Sequence, residues 1–137
     1  MNLDKLEQKL NIKFKNKNLL KQAFVHRSYL NENKDKQLES NERLEFLGDS
    51  ILGFVISSFI YDKLPEYKEG KLTNLRSNLV RTETLAKLSK KLDLGKNLLL
   101  SKGELVGNGK TNISLLADLF EAVIGAIYID QGLVPAK

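Results

Sequence analysis

Hydrophobic residues recur at helical spacing through most of this 137-residue chain, and no segment alternates strictly between apolar and polar positions. A repeat of three or four residues places apolar side chains on one face of an α-helix, whereas strict alternation is typical of a half-buried strand. The pattern therefore predicts an all-α fold. The length and the 42% hydrophobic content suit one domain over residues 1–137 with its own core.

Two long apolar stripes mark the helices that should form the centre of this domain. The first runs from about Asn41 to Leu64, and Pro65 closes it. The second begins after a cap at Asn112 or Ser114 and continues to the region around residue 128. These two segments should pack in the core and position each other's side chains.

Shorter segments complete the expected bundle. The spacing predicts helices over Leu3–Leu10 and Leu19–Val25, the second of which should reach residues 26–28, and a polar loop or frayed helix start over residues 31–40. Residues 72–92 read as one bent helix or two abutting helices, with Thr82 as the cap of the second. The glycine-rich stretch 102–112 should be a flexible exposed loop.

Composition excludes several kinds of site. The chain has no cysteine and one histidine, His26, so disulfides, thiolate ligands and a zinc site built from several imidazoles are all excluded. His26 itself is expected to be a packed or hydrogen-bonded structural residue, with a general-base role as the alternative.

The longest uncharged run, residues 50–61, is about half of the roughly 20 residues that span a membrane. No membrane insertion and an intracellular, cytoplasmic location are therefore expected, because no secretory signal opens the chain.

Charge is unevenly distributed along the chain, whose formal net charge is +5. Residues 63–110 hold eleven Lys or Arg against five acids, whereas residues 41–62 hold one Arg against four acids. A polyanion can lie on the basic stretch while a metal ion lies near the acidic one. A solvated lysine-rich face without a partner is the alternative explanation of the charge.

Acidic side chains lie inside both long apolar helices. Glu45 and Asp49 are four residues apart and share a side of the first helix, with Glu42 three residues earlier. Asp118 and Glu121 share a side of the second helix. If the two faces meet, the cluster has a formal charge of about −4, which Mg²⁺ or Mn²⁺ can neutralise.

Such a cluster predicts metal-dependent phosphate chemistry. A divalent ion held by carboxylates activates water and binds the oxygens of a phosphodiester, so that hydrolysis needs no protein nucleophile. No Lys, Arg or His lies between Asp49 and Tyr61 or between Ser114 and Gln131 to neutralise these acids from the same helix. For Glu42, at the start of its helix, interaction with the helix dipole is an alternative role.

Four segments resemble the bacterial ribonuclease III family of double-stranded-RNA endonucleases. The ten residues NERLEFLGDS at 41–50 closely resemble the family's signature segment. FVHRSY at 24–29 is similar to its early helix, LRSNLV at 75–80 to its middle helix and LADLFEA at 116–122 to its second acidic motif. The resemblance covers nearly the whole chain and implies an all-α ribonuclease III endonuclease domain.

The resemblance also implies roles for individual residues. It assigns Glu45, Asp118 and Glu121 as metal ligands and Asp49 as the acid that holds metal-bound water, with Glu121 serving in both ways. Glu42 and Glu69 match supporting acidic positions near the cleft. The implied cofactor is Mg²⁺, for which Mn²⁺ can substitute. Four cations are candidates for RNA contacts: Lys71, Arg76, Arg81 and Lys102.

The implied activity is hydrolysis of both strands of duplex RNA, which leaves 5′-phosphates and short 3′ overhangs. Processing of ribosomal RNA precursors and other structured transcripts follows from the same resemblance. The family works as a homodimer whose subunits form one valley for the duplex, and Phe46 and Leu47 are candidates for the dimer seam or for the monomer core.

Two departures from the family pattern affect these expectations. The loop at residues 110–113 has one lysine where the family is usually richer in arginine. Bacterial members also carry a C-terminal double-stranded-RNA-binding domain, so the chain is expected to be a catalytic domain truncated before it. Two rival functions are a non-cleaving RNA-binding module of the same fold and a basic helical DNA-binding protein, which would leave the acids unexplained.

Overall fold

The computed structural model describes residues 1–34 and 37–137, and those residues form helices without any strand. The fold class predicted from the sequence is therefore confirmed. The helices are α1 (Leu3–Leu10), α2 (Lys17–Ala23), α3 (Arg27–Glu32), α4 (Glu42–Lys63), α5 (Glu69–Val80), α6 (Thr82–Lys91), α7 (Lys102–Val106), α8 (Ile113–Gln131) and α9 (Leu133–Ala136), with 3₁₀ turns at Leu94–Asn97 and Gly109–Thr111.

The pair α4 and α8 forms the centre of the bundle and has the most extensive contact between any two described helices. Gly48 of α4 and Gly125 of α8 let the two backbones touch. A Cβ atom added at Gly125 of α8 would lie 2.2 Å from the carbonyl oxygen of Leu44 in α4. Since real Cβ atoms do not approach so closely, the separation of the two helices depends on glycine at this contact.

Other helices pack around α8. Helices α6 and α2 contact α8 on further sides, and α5 packs mainly against α4. The core cluster includes Leu6, Phe14, Leu20, Phe24, Leu44, Leu94, Leu98, Leu119 and Val123. By contrast α5 has no buried residue, so it lies at the edge of the bundle.

Short polar side chains fix the helix starts. Asn112 caps α8, because its side chain accepts a hydrogen bond from the backbone N–H of Leu115 at 3.1 Å. This decides between Asn112 and Ser114, which the sequence left open. Asn2, Asn16 and Ser101 cap α1, α2 and α7 in the same way.

The second helix ends earlier than the sequence predicted. It stops at Ala23, and the following residues are tied to two distant segments instead of continuing the helix. Leu99 donates to the carbonyl of Phe24 at 2.8 Å and accepts from His26 at 3.0 Å, while Asn41 donates to Val25 at 2.8 Å. These long-range backbone bonds replace the local ones and hold residues 24–26 beside the start of α4.

Three other connections can be compared with their predictions, and for residues 72–92 the structure shows the second of the two predicted alternatives. Arg81 is extended (ψ 156°), so residues 72–92 form two abutting helices, and Thr82 is the first helical residue of α6 rather than its cap. The stretch 102–112, predicted as a loop, contains α7 and a 3₁₀ turn because Ser101 and the backbone of Asn108 start them. Of the predicted 31–40 connection, Asn31 and Glu32 belong to α3, and residues 35–36 lie outside the described part.

Helix α4 is also long and apolar enough to cross a membrane by length and composition, and 22% of its most apolar window is buried. This was not expected from the short uncharged run. One such helix is a weak indication, since a core helix of a soluble protein passes the same test. Its main packing partner is α8, and its N-terminal half carries three acids.

Substitution of Gly125 tests the close helix contact. We expect Gly125→Ala to lower the free energy of unfolding by about 3 kcal/mol, because the new methyl group forces α4 and α8 apart. Gly53→Ala is the matched control on α4: a Cβ there has no neighbour within 4 Å, and the higher helix propensity of alanine should raise stability by about 0.5 to 1 kcal/mol. Urea unfolding of both variants measures this, and equal effects would contradict the contact.

Candidate metal centre

The packing of α4 on α8 brings carboxylates from both helices to one place. Glu45, Asp118 and Glu121 each offer a carboxylate oxygen, and these oxygens lie within 4.8 Å of one another. All three side chains are half-buried. They are the same three residues to which the resemblance assigned metal binding.

Gly48 explains why the acids meet at this level of the helix pair. A Cβ atom on Gly48 would lie 1.7 Å from the carbonyl oxygen of Glu121. The backbones of α4 and α8 therefore touch one helical turn from Glu45 and directly at Glu121. Any larger residue at position 48 would separate the acids of one helix from those of the other.

The fourth acid, Asp49, lies at the exposed edge of the same cluster. It interacts with Glu121 both by charge and by a side-chain hydrogen bond that favours a proton on Glu121. Burial, followed by the charges of Asp49, Glu45 and Asp118, raises the pKa of Glu121 to about 8. At neutral pH the metal-free cluster therefore keeps a proton instead of its full formal charge.

The pKa values of Glu45 and Asp118 are raised as well. Burial raises the pKa of Glu45 most, and the charges of Asp118, Glu42 and Asp49 add to the effect. Burial also raises the pKa of Asp118, while a positive charge on His26 would lower it. The environment thus disfavours the charged forms, and the neighbouring side chains do not supply enough positive charge to offset this.

The donor set fits a hard divalent cation. Three carboxylate oxygens within 4.8 Å of one another are the ligands that Mg²⁺ and Mn²⁺ accept, and a dication removes the repulsion that raises their pKa values. The residues that would hold it are Glu45, Asp118 and Glu121. A divalent ion in place of the proton would therefore supply the positive charge that the neighbouring side chains do not.

The supporting acids lie in different places. Glu42 is exposed, forms an ion pair with Arg27 at 3.6 Å, and is close enough to raise the pKa of Glu45. Glu69 is exposed at the start of α5, where Thr73 donates a hydrogen bond to it at 3.0 Å. Glu69 is not among the charges that perturb the described cluster.

The basic candidates are distributed over several elements. Lys71 lies 3.9 Å from the centre of the Tyr67 ring, and Arg76 donates to Ser57 of α4 at 3.3 Å. Arg81 is 3.9 Å from Glu83. Lys102 is exposed at the first turn of α7, where its backbone N–H bonds Glu32 at 3.0 Å. All four side chains are solvent-exposed and reach none of the clustered acids.

A small cavity of about 240 Å³ opens beside the cluster, and sequence reasoning did not anticipate its walls. His26, Arg27 and Asn41 line it together with Glu42, Glu45 and Asp118. The signal was present in the FVHRSY segment, but spacing alone could not show that the turn after α2 brings His26 next to α8.

Comparisons with known proteins agree with this architecture. Residues 16–137 match the Ribonuclease-III-like family. The chain is 48% identical over 132 residues to ribonuclease 3 of Enterococcus faecalis and 53% identical over 132 residues to ribonuclease 3 of Protochlamydia amoebophila. Each match covers 96% of this chain and 57% or 54% of the relative. The chain belongs to the ribonuclease-III-like family, and it spans about half the length of these curated relatives.

Solved structures give the same result for the fold. The nuclease domain of ribonuclease III from Campylobacter jejuni matches with a TM-score of 0.90 and 41% identity, over 98% of this chain and 90% of that one. Dicer from Pichia stipitis matches with a TM-score of 0.65 and 34% identity, over 89% of this chain and 50% of that one. The described helices are therefore a ribonuclease III nuclease-domain fold.

The raised pKa of Glu121 predicts a pH-dependent stability for the metal-free protein. Between pH 4.5 and about 8 the folded state keeps a proton that the unfolded chain has lost, so the free energy of unfolding falls as pH rises through this range. After allowance for solvent screening of a half-exposed group, we expect a loss of about 2 kcal/mol.

Urea unfolding in EDTA at pH 5.5 and pH 8 measures this loss, and Glu121→Gln is the control because it should weaken the dependence. Mg²⁺ should stabilise the wild-type protein more at pH 8 than at pH 5.5, since protons then compete less for the carboxylates. A stability that does not change with pH, or that changes equally in the variant, would contradict the assignment.

Proposed function

We propose that this domain is a divalent-metal-dependent endoribonuclease that hydrolyses phosphodiesters in both strands of duplex RNA. The observation that carries the proposal is the meeting of Glu45, Asp118 and Glu121 within 4.8 Å, with Asp49 beside them, in a chain of the ribonuclease-III-like family. A binding module that does not cut RNA would have no need for four acids in a shared, electrostatically unfavourable cluster.

The four acids divide the work between metal binding and proton handling. Glu45, Asp118 and Glu121 hold the ion, for which Mg²⁺ is the proposed metal and Mn²⁺ a substitute. When bound, the ion would act as a Lewis acid that lowers the pKa of a water molecule and polarises a phosphate oxygen. Asp49, exposed and close enough to Glu121 to raise its pKa, is the residue that we propose to orient the attacking water and accept its proton.

Affinity for the duplex comes from charge. Residues 63–110 carry eleven Lys or Arg against five acids, and the exposed side chains of Lys71, Arg76, Arg81 and Lys102 are the proposed phosphate contacts. Duplex RNA is read through phosphates and 2′-hydroxyls, because its deep major groove hides the base edges. Recognition should therefore depend on shape and salt rather than on sequence.

The exposed face of α4 supports a homodimer as the working form. Phe46 is 78% exposed although it lies in a helix that is apolar along most of its length, and Phe54 and Phe59 are each 59% exposed. Beside Phe46 is a mainly apolar cavity of about 580 Å³, whose walls include Leu44, Leu47 and Ile129 and, among polar residues, Glu39 and Arg43. The related Campylobacter jejuni nuclease domain has a region involved in dimer formation.

A two-fold dimer buries the same patch of both subunits. We place Phe46 and Leu47 in that seam, with the Phe46 ring of each subunit in the apolar cavity of the other. The two metal centres of such a dimer would each serve one strand of a duplex. The proposed products are 5′-phosphates with short 3′ overhangs, and the proposed substrates are ribosomal RNA precursors and other structured transcripts in the cytoplasm.

Cleavage of a plain RNA duplex tests the proposed activity. We expect cleavage that requires Mg²⁺. We expect Glu121→Gln to lower the rate at least about 100-fold, because a metal ligand loses its charge and even partners behind such ligands change activity about 10- to 100-fold. Binding of the duplex should persist in the variant because glutamine keeps the size of the side chain and removes a negative charge. Single-turnover rates and binding in Ca²⁺ measure the two effects separately.

Glu104→Gln is the matched control for this experiment. Glu104 lies exposed on α7 and outside the cluster, so its loss of charge should leave the cleavage rate unchanged. Rapid cleavage by Glu121→Gln, or cleavage by the wild-type protein in EDTA, would rule out the metal-dependent mechanism.

The dimer seam is tested by Phe46→Ala. Truncation of a central aromatic residue at an interface typically costs at least about 2 kcal/mol, so the dimer dissociation constant should rise about 30-fold or more. Stability of the monomer should change little, because the side chain is 78% exposed. Sedimentation equilibrium measures the dissociation constant.

The control for the seam is Val106→Ala on α7, where Val106 is 85% exposed and lies on a different surface. Its dimer dissociation constant should equal that of the wild-type protein. An unchanged constant in Phe46→Ala would move the dimer contact away from this face of α4.

A further inference from the structure

The imidazole of His26 belongs to a hydrogen-bond network that joins α3 to the segment before α7. Its Nδ1 accepts the backbone N–H of Ser28 at 3.2 Å and lies 2.7 Å from the Ser28 hydroxyl. The same hydroxyl accepts the backbone N–H of Ser101 at 3.0 Å. The backbone of His26 is fixed by Leu99 at 3.0 Å. The ring is therefore held from two sides.

This network determines which nitrogen carries the proton. A backbone N–H can only donate, so Nδ1 must present its lone pair to Ser28. Because the backbone N–H makes Nδ1 an acceptor, the Ser28 hydroxyl, 2.7 Å away, is the donor in its own contact with Nδ1. The neutral ring consequently carries its proton on Nε2, and no hydrogen bond joins Nε2 to another residue in the described ranges 1–34 and 37–137.

The ring lines the cavity beside the metal centre, together with Glu45 and Asp118. A charge on His26 would lower the pKa of Asp118, which shows that the two side chains are close. The two other side-chain donors of the cavity wall each have a partner elsewhere. Arg27 pairs with Glu42 at 3.6 Å, and the side chain of Asn41 donates to Ala23 at 3.1 Å.

We propose that His26 is a positioning residue, whose Nε2–H donates to the Asp118 carboxylate through one water molecule in the cavity and holds it in place for metal binding. Ser28 takes part by fixing the tautomer. The proposal rests on the proposed function, because it gives Asp118 the role of a ligand. The sequence predicted a structural histidine, whose role would be limited to capping α3; the proposal adds a role at the metal centre.

The physical effect is on the orientation of Asp118. A carboxylate on a helix has several rotamers, and a donor on its outer oxygen restricts it to the one that faces Glu45 and Glu121. Partners of this kind behind metal ligands typically change metal affinity or activity about 10- to 100-fold. The cavity of about 240 Å³ that His26 and Asp118 line has room and several polar walls for a water molecule that bridges the two side chains.

Two substitutions separate the cap from the proposed donor. His26→Asn keeps an acceptor near the position of Nδ1, so α3 stays capped, but it lacks a donor at the distance of Nε2. His26→Gln reverses this, because its longer amide can donate near the position of Nε2 and does not cap well. We expect Mn²⁺ affinity, measured by electron paramagnetic resonance, to fall about 10-fold in His26→Asn and to be partly restored in His26→Gln.

The single histidine of the chain allows a direct test of the tautomer. Protein labelled with ¹⁵N-histidine should show one pair of ring signals, with the neutral form protonated at Nε2. Ser28→Ala should increase the fraction protonated at Nδ1 and lower Mn²⁺ affinity less than His26→Asn does. Addition of Mg²⁺ should shift the Nε2 signal of the wild-type protein but not that of the Glu121→Gln variant.

Asn2→Ala is the control for loss of a helix cap, since Asn2 caps α1 and does not line the cavity. It should destabilise the protein by about 1 kcal/mol without a change in Mn²⁺ affinity. In cleavage, His26→Asn should lower kcat about 10-fold and leave KM for the duplex unchanged.

Wild-type Mn²⁺ affinity in His26→Asn, or an Nδ1-protonated ring in the wild-type protein, would overturn the proposal. Should His26→Asn fail to fold, His26→Gln, Ser28→Ala and the tautomer of the wild-type ring decide it. Metal binding without any duplex cleavage would refute the proposed function and leave the His26 comparison valid. A wild-type protein that binds no Mn²⁺ would refute both.

Discussion

The contact between the backbones of α4 and α8 is the constraint on which the rest of the site depends. Gly48 and Gly125 lie where each helix touches the main chain of the other, so the two helices approach without side chains between them. The acids of each helix thereby come within ligand distance of the acids of the other. Each helix alone carries only an unremarkable acidic face, and the potential metal centre arises from their packing.

The cluster of Glu45, Asp118 and Glu121 is electrostatically unfavourable in the folded protein without a bound cation. Burial and mutual repulsion raise the pKa values of Glu45, Asp118 and Glu121, so these carboxyls favour a proton or a cation. The same features that make the cluster unfavourable without a ligand increase its affinity for a small dication. Packing of apolar side chains around Leu116, Leu119 and Val123 supplies the stability that keeps the acids together.

The all-α class and the two central helices could be predicted from the sequence, and helical spacing also indicated that Glu45 and Asp118, with Glu121, lie on helix faces that can meet. The end of α2 could not, since it depends on backbone bonds from residues 24–26 to Leu99 and Asn41, far away in the chain. For the same reason the approach of His26 to Asp118 was missed. The glycines of residues 102–112 predicted a loop, and the short helix α7 forms there because the Ser101 side chain caps it.

The raised pKa of Glu121 has a consequence for the folded protein before it binds a metal ion. Because burial and the neighbouring acids raise the pKa of Glu121 to about 8, a proton on this carboxyl reduces the repulsion within the metal-free cluster near pH 7. Binding of a dication at the proposed site would then exchange that proton for the ion while the helices keep their packing. The occupancy of the site, and with it the proposed activity, would thus follow the supply of metal without unfolding of the protein.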